Sequence, residues 1–178
     1  MEIRKTTLED LPAVMALYDQ GRQYMRKNGN HSQWIKGYPS EELIREDIQL
    51  GRSYVAQEQG ELTAVFCFFY GKDIEASYRN IDGAWLDDEP YGVLHRLASS
   101  GKYPDMTGFC SDWCLSQWPN LRVDTHRDNA PMQRALERLG FARCGVVIIE
   151  DGSERIGFQK RRESKGFPCQ KIRRRSKS

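Results

Sequence analysis

Apolar side chains recur along this chain in two rhythms, and the switches between them mark its elements. Leu8, Leu11, Val14, Met15 and Tyr18 share one face of a helix that opens at the capping-box pattern Thr7-Leu8-Glu9-Asp10 and stops at Asn28-Gly29-Asn30. A second helix is capped by Ser40, turns Leu43, Ile44 and Ile48 inward and ends at Gly51. Glu2–Lys5 suits a short first strand. Ser53–Gln57 and Glu61–Tyr70 read as a hairpin across Gln59-Gly60, and the nearly unbroken apolar run of the second arm (Leu62, Ala64, Val65, Phe66, Cys67, Phe68, Phe69) predicts a central strand. Residues 71–90 are polar and turn-rich.

The stretch from Tyr91 to Gln117 organises the rest. Val93, Leu94, Leu97 and Ala98 form an apolar run that reads as a strand, a small-residue turn follows, and a helix carries Phe109 and Trp113 one turn apart. A helix N-terminus reached through such a loop offers unpaired N–H groups to an anion, so the unit is either a candidate phosphate site or an ordinary connection. Beyond it lie a strand at Leu121–Thr125 and a helix from Asp128 or Asn129. Pro131 suits that helix's first turn, Met132, Ala135, Leu136 and Leu139 share one face, and Gly140 sits where a left-handed cap belongs. Arg143–Ile149 and Glu154–Gln159 close as a hairpin, with Asp151-Gly152 as the turn.

This last segment, LRVDTHRDNAPMQRALERLGFARCGVVIIEDGSERIGFQK, resembles the final third of the GNAT superfamily of N-acetyltransferases. The carriers are a strand ending in Asp124-Thr125, Asn129 opening a helix, and that helix ending in Leu139-Gly140-Phe141 before the next strand. The likeness spans about residues 1–160 and is strongest in 91–159. It implies one α/β (α+β) domain with a mixed central sheet of about six to seven strands and about four helices. The sheet would be splayed between its fourth and fifth strands, Val93–Ser99 and Leu121–Thr125. It also implies acetyl-CoA as cosubstrate in that splay. The pantetheine would pair with backbone near Leu97 and Ala98, and the pyrophosphate would rest on Lys102, Tyr103, Pro104, Asp105, Met106, Thr107 and Gly108. Asn129 would contact the cosubstrate from the later helix. The family signature Gln/Arg-x-x-Gly-x-Gly/Ala falls on Lys102–Thr107, so Asp105 and Thr107 stand where glycines are usual and Gly108 comes one residue late. Asp105 either opposes the phosphate charge or caps the helix and points away.

The implied reaction is direct attack of a primary amine, on a small molecule or a protein, at the thioester carbonyl. An alkyl amine of pKa about 10.4 is neutral in roughly one molecule in 2,500 at pH 7, so a positioned base helps. His95, His126 and Asp128 are the catalytic candidates; each has a structural alternative, as core histidine, loop residue and helix cap respectively. Trp34 and Tyr38, in the loop between the first two helices, are acceptor-pocket candidates or aromatics packing that loop on the core. Trp85 sits in an acidic stretch with Asp82, Asp87, Asp88 and Glu89 that either receives a cationic acceptor or is a solvated loop. The tyrosine acid of many family members is replaced by Leu136, before Glu137-Arg138-Leu139-Gly140-Phe141. The alternative to an enzyme is a catalytically silent protein of the same fold that binds CoA or regulates. His126-Arg127-Asp128 resembles a kinase catalytic triplet, but Gln133 stands where its asparagine belongs and no glycine-rich phosphate loop exists, which excludes that reading.

Composition narrows the picture. The 178 residues suit a single domain. No apolar run is long enough to span a membrane, and the N-terminus does not read as a signal peptide. Five cysteines with no export signal suggest reduced thiols in a cytoplasm. Cys110 and Cys114 share a helix face without a Cys-x-x-Cys or a nearby histidine, so they read as buried apolar residues, and no metal site is expected. Residues 161–178 hold eight Lys/Arg and one Glu, +7 of a chain total of +2, which leaves −5 for the rest. That basic segment is expected to be a disordered tail; with a single aromatic, Phe167, for stacking it makes nucleic acid an unfavoured partner. A homodimer stays open.

Overall fold

The computed structural model describes residues 1–162. Its strands are β1 (Glu2–Lys5), β2 (Ser53–Glu58), β3 (Glu61–Gly71), β4 (Ile81–Gly83), β5 (Tyr91–Ser99), β6 (Asn120–Thr125), β7 (Ala142–Ile148) and β8 (Glu154–Arg161). Its helices are α1 (Leu11–Lys27), α2 (Glu41–Gln49), α3 (Met106–Gln117) and α4 (Ala130–Arg138). The strands form one mixed eight-stranded sheet in the order β1-β2-β3-β5-β6-β8-β7-β4. Among the described residues β5 and β6 are its one parallel pair, joined by the crossover through α3 as parallel strands require.

Local chemistry explains most of these boundaries. Gln59 and Gly60, at φ 50° and 81°, make the left-handed pair that turns β2 into β3. Ser40 Oγ accepts from the Leu43 N–H and caps α2, and Asn129 Oδ1 does the same for α4 through Met132. The first helix begins later than its pattern predicts. Thr7 and Asp10 form a capping box around a 3-10 turn at Leu8–Asp10, and α1 proper starts at Leu11 with Pro12 in its first turn. Leu8 is consequently exposed.

The sheet also has one strand more than expected. Ile81–Gly83 lies in the polar stretch and pairs with Gly145–Val147 at the sheet edge; three residues are too few to show alternation. The basic segment begins later as well, because Arg161 still pairs with Asn120 as the last residue of β8. The remainder of the expected tail, from residue 163, lies outside the described residues.

Helices cover both faces. Cys110, Cys114 and Leu115 of α3 and Leu136 of α4 pack on Phe66, Phe68, Leu94, Leu121, Val123 and Phe158. Burial pushes the Cys110 thiol up to about 12, as suits a small apolar side chain rather than a thiolate. Leu11, Val14, Leu17 and Tyr18 of α1 and Ile44 of α2 pack on Val55, Val65 and Ala98 of the opposite face. Further along that face Tyr78, Tyr91, Val93 and Val147 make a smaller cluster. No helix among the described residues is long and apolar enough to cross a membrane.

Candidate active site

The sheet parts at its parallel pair. Gly92, Val93 and Leu94 of β5 pair with Leu121, Arg122 and Val123 of β6, and the pairing stops there although both strands continue. On its other side β5 carries a bulge: Val65 of β3 faces Ala98 and Cys67 faces His95, so Arg96 and Leu97 together oppose Phe66. Arg96 holds φ at 54°, a left-handed conformation uncommon for a side chain of its size. A buried ion pair supports it. Its guanidinium donates to both oxygens of Asp47, at the C-terminal end of α2, over 2.7–3.1 Å, and Asp47 is 4% exposed. Bulge and pair together bend β5 away from β6 and leave its backbone beyond Leu94 without a β6 partner.

A cavity of 1020 Å³ lies along the end of β5 beyond this opening, between α1 and α4, room for an extended cosubstrate. Its wall takes Leu97, Ala98, Lys102, Tyr103, Asp105, Met106, Thr107 and Asn129, eight of the ten residues expected to hold the cosubstrate. Pro104 and Gly108 are not on the wall. Gly108 is buried under the Asp105 carboxylate, whose Oδ2 would lie 2.5 Å from an added Cβ. Asp105 is therefore a helix cap: its Oδ1 accepts from the Gly108 N–H at 3.3 Å, and its φ of 51° is a left-handed state that favours glycine. The carboxylate lies over the helix end that a phosphate would otherwise meet. Lys102 pairs with Glu61, also on the wall. Helix α4 adds Met132, Arg134, Ala135 and Arg138, and α1 adds Tyr24 and Lys27.

On the face carrying the smaller cluster, the two side chains just past the last β5–β6 pair meet across the gap. His95 Nδ1 lies 3.6 Å from Asp124 Oδ2, and His95 Nε2 lies 3.3 Å from Glu75 Oε2. The Tyr78 hydroxyl donates to Asp124 at 2.6 Å; burial, then the Asp124 charge, raise that phenol's pKa and keep it protonated. The bond from His95 is the largest cause holding the Glu75 carboxyl down at about 2. His95 is thus no inert core residue. Its side chain is 20% exposed and carries a carboxylate at each ring nitrogen.

The other catalytic candidates pair with each other. His126 Nδ1 accepts from the Asp128 N–H at 3.1 Å and lies 3.4 Å from the Asp128 carboxylate. Burial, then the nearby Arg155 charge, push the His126 pKa below its ordinary 6.5. Asn129 spends its side chain on structure: besides capping α4 it donates to Gln33 Oε1 at 3.1 Å, and Gln33 also accepts from Asn30 at 2.9 Å. That network ties the α1–α2 loop to α4 across the opening.

The aromatic candidates divide. Trp34 is a core residue, 8% exposed, set edge-on to Tyr18 and against Gly21. Trp85 packs on Tyr78 and donates to its carbonyl oxygen. Only Tyr38 stays exposed; it is not on the cavity wall, and its hydroxyl accepts from Arg96 at 3.3 Å. Leu136 is fully buried under α4 and absent from the wall; its neighbour Ala135 faces the cavity.

Sequence reasoning missed Glu75, Arg96, Asp47, Gln33, Arg134 and Arg138. A His-Arg pair inside an apolar strand was the one local signal.

The fold has counterparts among solved proteins. A GNAT-family acetyltransferase from Streptococcus agalactiae 2603 is 30% identical over 92% of this chain and 96% of its own, at a TM-score of 0.82. The chain belongs to the GNAT family of acetyltransferases. Similar in fold alone are a GNAT-family acetyltransferase from Listeria monocytogenes 4b F2365 (18% identity, 90% and 94% covered, TM-score 0.61) and a ribosomal-protein-alanine N-acetyltransferase from Brucella melitensis (15%, 90% and 99%, 0.61). No protein-family model and no curated protein sequence matches the chain.

Proposed function

We propose that the chain transfers the acetyl group of acetyl-CoA to a primary amine of a small molecule or protein. The observation that carries this reading is the cavity along the end of β5 beyond the β5–β6 opening, together with His95 held between Glu75 and Asp124 where the two strands part. Acetyl-CoA lies along β5 and pairs its pantetheine amides with backbone near Leu97 and Ala98, as an added strand would. The amine nitrogen attacks the thioester carbonyl carbon, the C–S bond breaks, and sulfur leaves as thiolate.

The amine's proton passes to His95. In the neutral ring one nitrogen donates to its carboxylate and the other keeps the lone pair that takes the amine's proton. Glu75 and Asp124 hold the ring in place and face its charge once it is protonated, the role a carboxylate plays behind any catalytic histidine. His126, neutral at pH 7 by its lowered pKa, is the second candidate base, and Asp128 orients it. With Leu136 in the core the leaving group has no acid from that position, yet an alkyl thiol of pKa near 8.5 departs without one.

Asp105 over the α3 N-terminus favours the alternative of a silent CoA-binding relative. Acetyl-CoA at 100 times its Kd should stabilise the protein by about 2.7 kcal/mol under either reading. Thiol released from acetyl-CoA in the presence of an amine panel is expected of the enzyme alone. Binding without thiol release on any amine would leave the silent reading, and absence of binding would overturn both.

A further inference from the structure

The cavity wall carries four cations, Lys27, Lys102, Arg134 and Arg138, and two anions, Glu61 and Asp105. Lys102 is engaged with Glu61, and Arg138 Nη2 lies 3.5 Å from Asp105 Oδ1. Among the described residues Lys27 and Arg134 form no ion pair. The N-terminal N–H groups of α3 are partly used already: that of Gly108 by the Asp105 side chain and that of Phe109 by the Asp105 carbonyl at 3.0 Å.

Resting on the acetyl-CoA reading above, we propose that Arg138 and Arg134 of α4, assisted by Lys102, bind the cosubstrate's pyrophosphate, and that they do so in place of the loop amides the family uses. Asp105 is then an internal stand-in for the phosphate, holding Arg138 until the cosubstrate arrives. Three features support this. The carboxylate sits where backbone amides would otherwise present themselves, and a second anion at that spot is repelled. Arg134 and Arg138 lie one turn apart on α4, so both forks reach the same stretch of wall. The Arg138–Asp105 contact is exposed at both partners, with side chains 65% and 52% accessible; such pairs contribute little and exchange readily for a doubly charged phosphate, which guanidinium binds bidentately.

The test compares acetyl-CoA with S-acetylpantetheine, which keeps the thioester arm and lacks every phosphate. Arg134→Ala and Arg138→Ala should each weaken acetyl-CoA roughly tenfold or more, the worth of a charged hydrogen bond, and leave S-acetylpantetheine unchanged. Asp105→Asn keeps a good cap that tolerates left-handed backbone while removing the charge. It should tighten acetyl-CoA several-fold and again leave S-acetylpantetheine alone. Both arginines are surface residues, and circular dichroism checks the fold. Wild-type acetyl-CoA affinity in both arginine variants, or unchanged affinity in Asp105→Asn, would overturn the proposal while the acetyl-CoA reading stands. If the wild-type protein binds neither compound, both fall.

Discussion

The two sides of the β5–β6 opening are built on opposite electrostatic plans. On the cavity side the charges are half-exposed, mixed in sign and carried on long side chains: Lys27, Lys102, Arg134 and Arg138 against Glu61 and Asp105. Where the strands part, on the other face, one histidine is gripped by two carboxylates, and one of these is fixed in turn by a buried tyrosine. Under the proposed function, the difference follows from what each side would handle. A polyphosphate brings its own charge and many conformers, so adaptable cations suffice. Proton transfer needs a ring fixed to within a fraction of an ångström, which takes short, mutually constrained side chains. Between the two lies the Arg96–Asp47 pair, which serves both by keeping β5 bent.

The largest expected effect breaks the chemistry and spares the cavity side. His95→Gln should lower kcat by roughly 10²–10⁴ and leave the acetyl-CoA KM near its wild-type value, read by thiol release. The same variant should change the acid limb of stability. Because Glu75 is held at about 2, below its ordinary 4.5, its contribution is present above pH 4.5 and lost as pH falls from there toward 2. That loss should shrink in His95→Gln, since the largest cause of the shift is gone. A kcat unaffected by the substitution would move the base to His126.

Next comes the shared hinge. Asp47→Ala leaves the Arg96 guanidinium buried without its partner, and breaking such a pair costs about 3–5 kcal/mol. Denaturant unfolding should show this as a lower midpoint, with weakened acetyl-CoA binding in the protein that remains folded. Stability lost with affinity intact would mean that the bend survives without the pair.

The smallest effect separates the core from the cavity. Leu136→Tyr places a larger, polar ring in a fully buried site, so it should cost about 1–3 kcal/mol by overpacking and add no rate. A faster enzyme would show that the ring reaches the thioester after all.

Much of this architecture is legible in the residues. The helical stripes, the Ser40 and Asn129 caps, the Gln59-Gly60 turn and the 121–159 pattern each follow from local periodicity or capping chemistry, which short stretches specify. The site is less so, because its partners are brought together from distant parts of the chain. Glu75 sits in a polar run that resembles any solvated loop until His95 meets it from 20 residues on, and Asp47 reaches Arg96 across 49. Trp34 and Trp85 were ambiguous for a related reason: an aromatic in a loop gives the same sequence signal whether it lines a pocket or plugs the core. Asp105 shows a third limit. A carboxylate replacing a phosphate-loop glycine reads equally as a charge opposing the phosphate or as a helix cap, and only the Gly108 contact decides for the cap.

Whether acetyl-CoA occupies the β5–β6 opening is tested most directly by backbone amide spectra recorded during its titration. Saturable shifts are expected in Leu97–Gly108 and in Asn129–Arg138, while the β1–β2 edge of the sheet stays silent. Unchanged spectra at millimolar acetyl-CoA, or shifts confined to residues away from the opening, would contradict it.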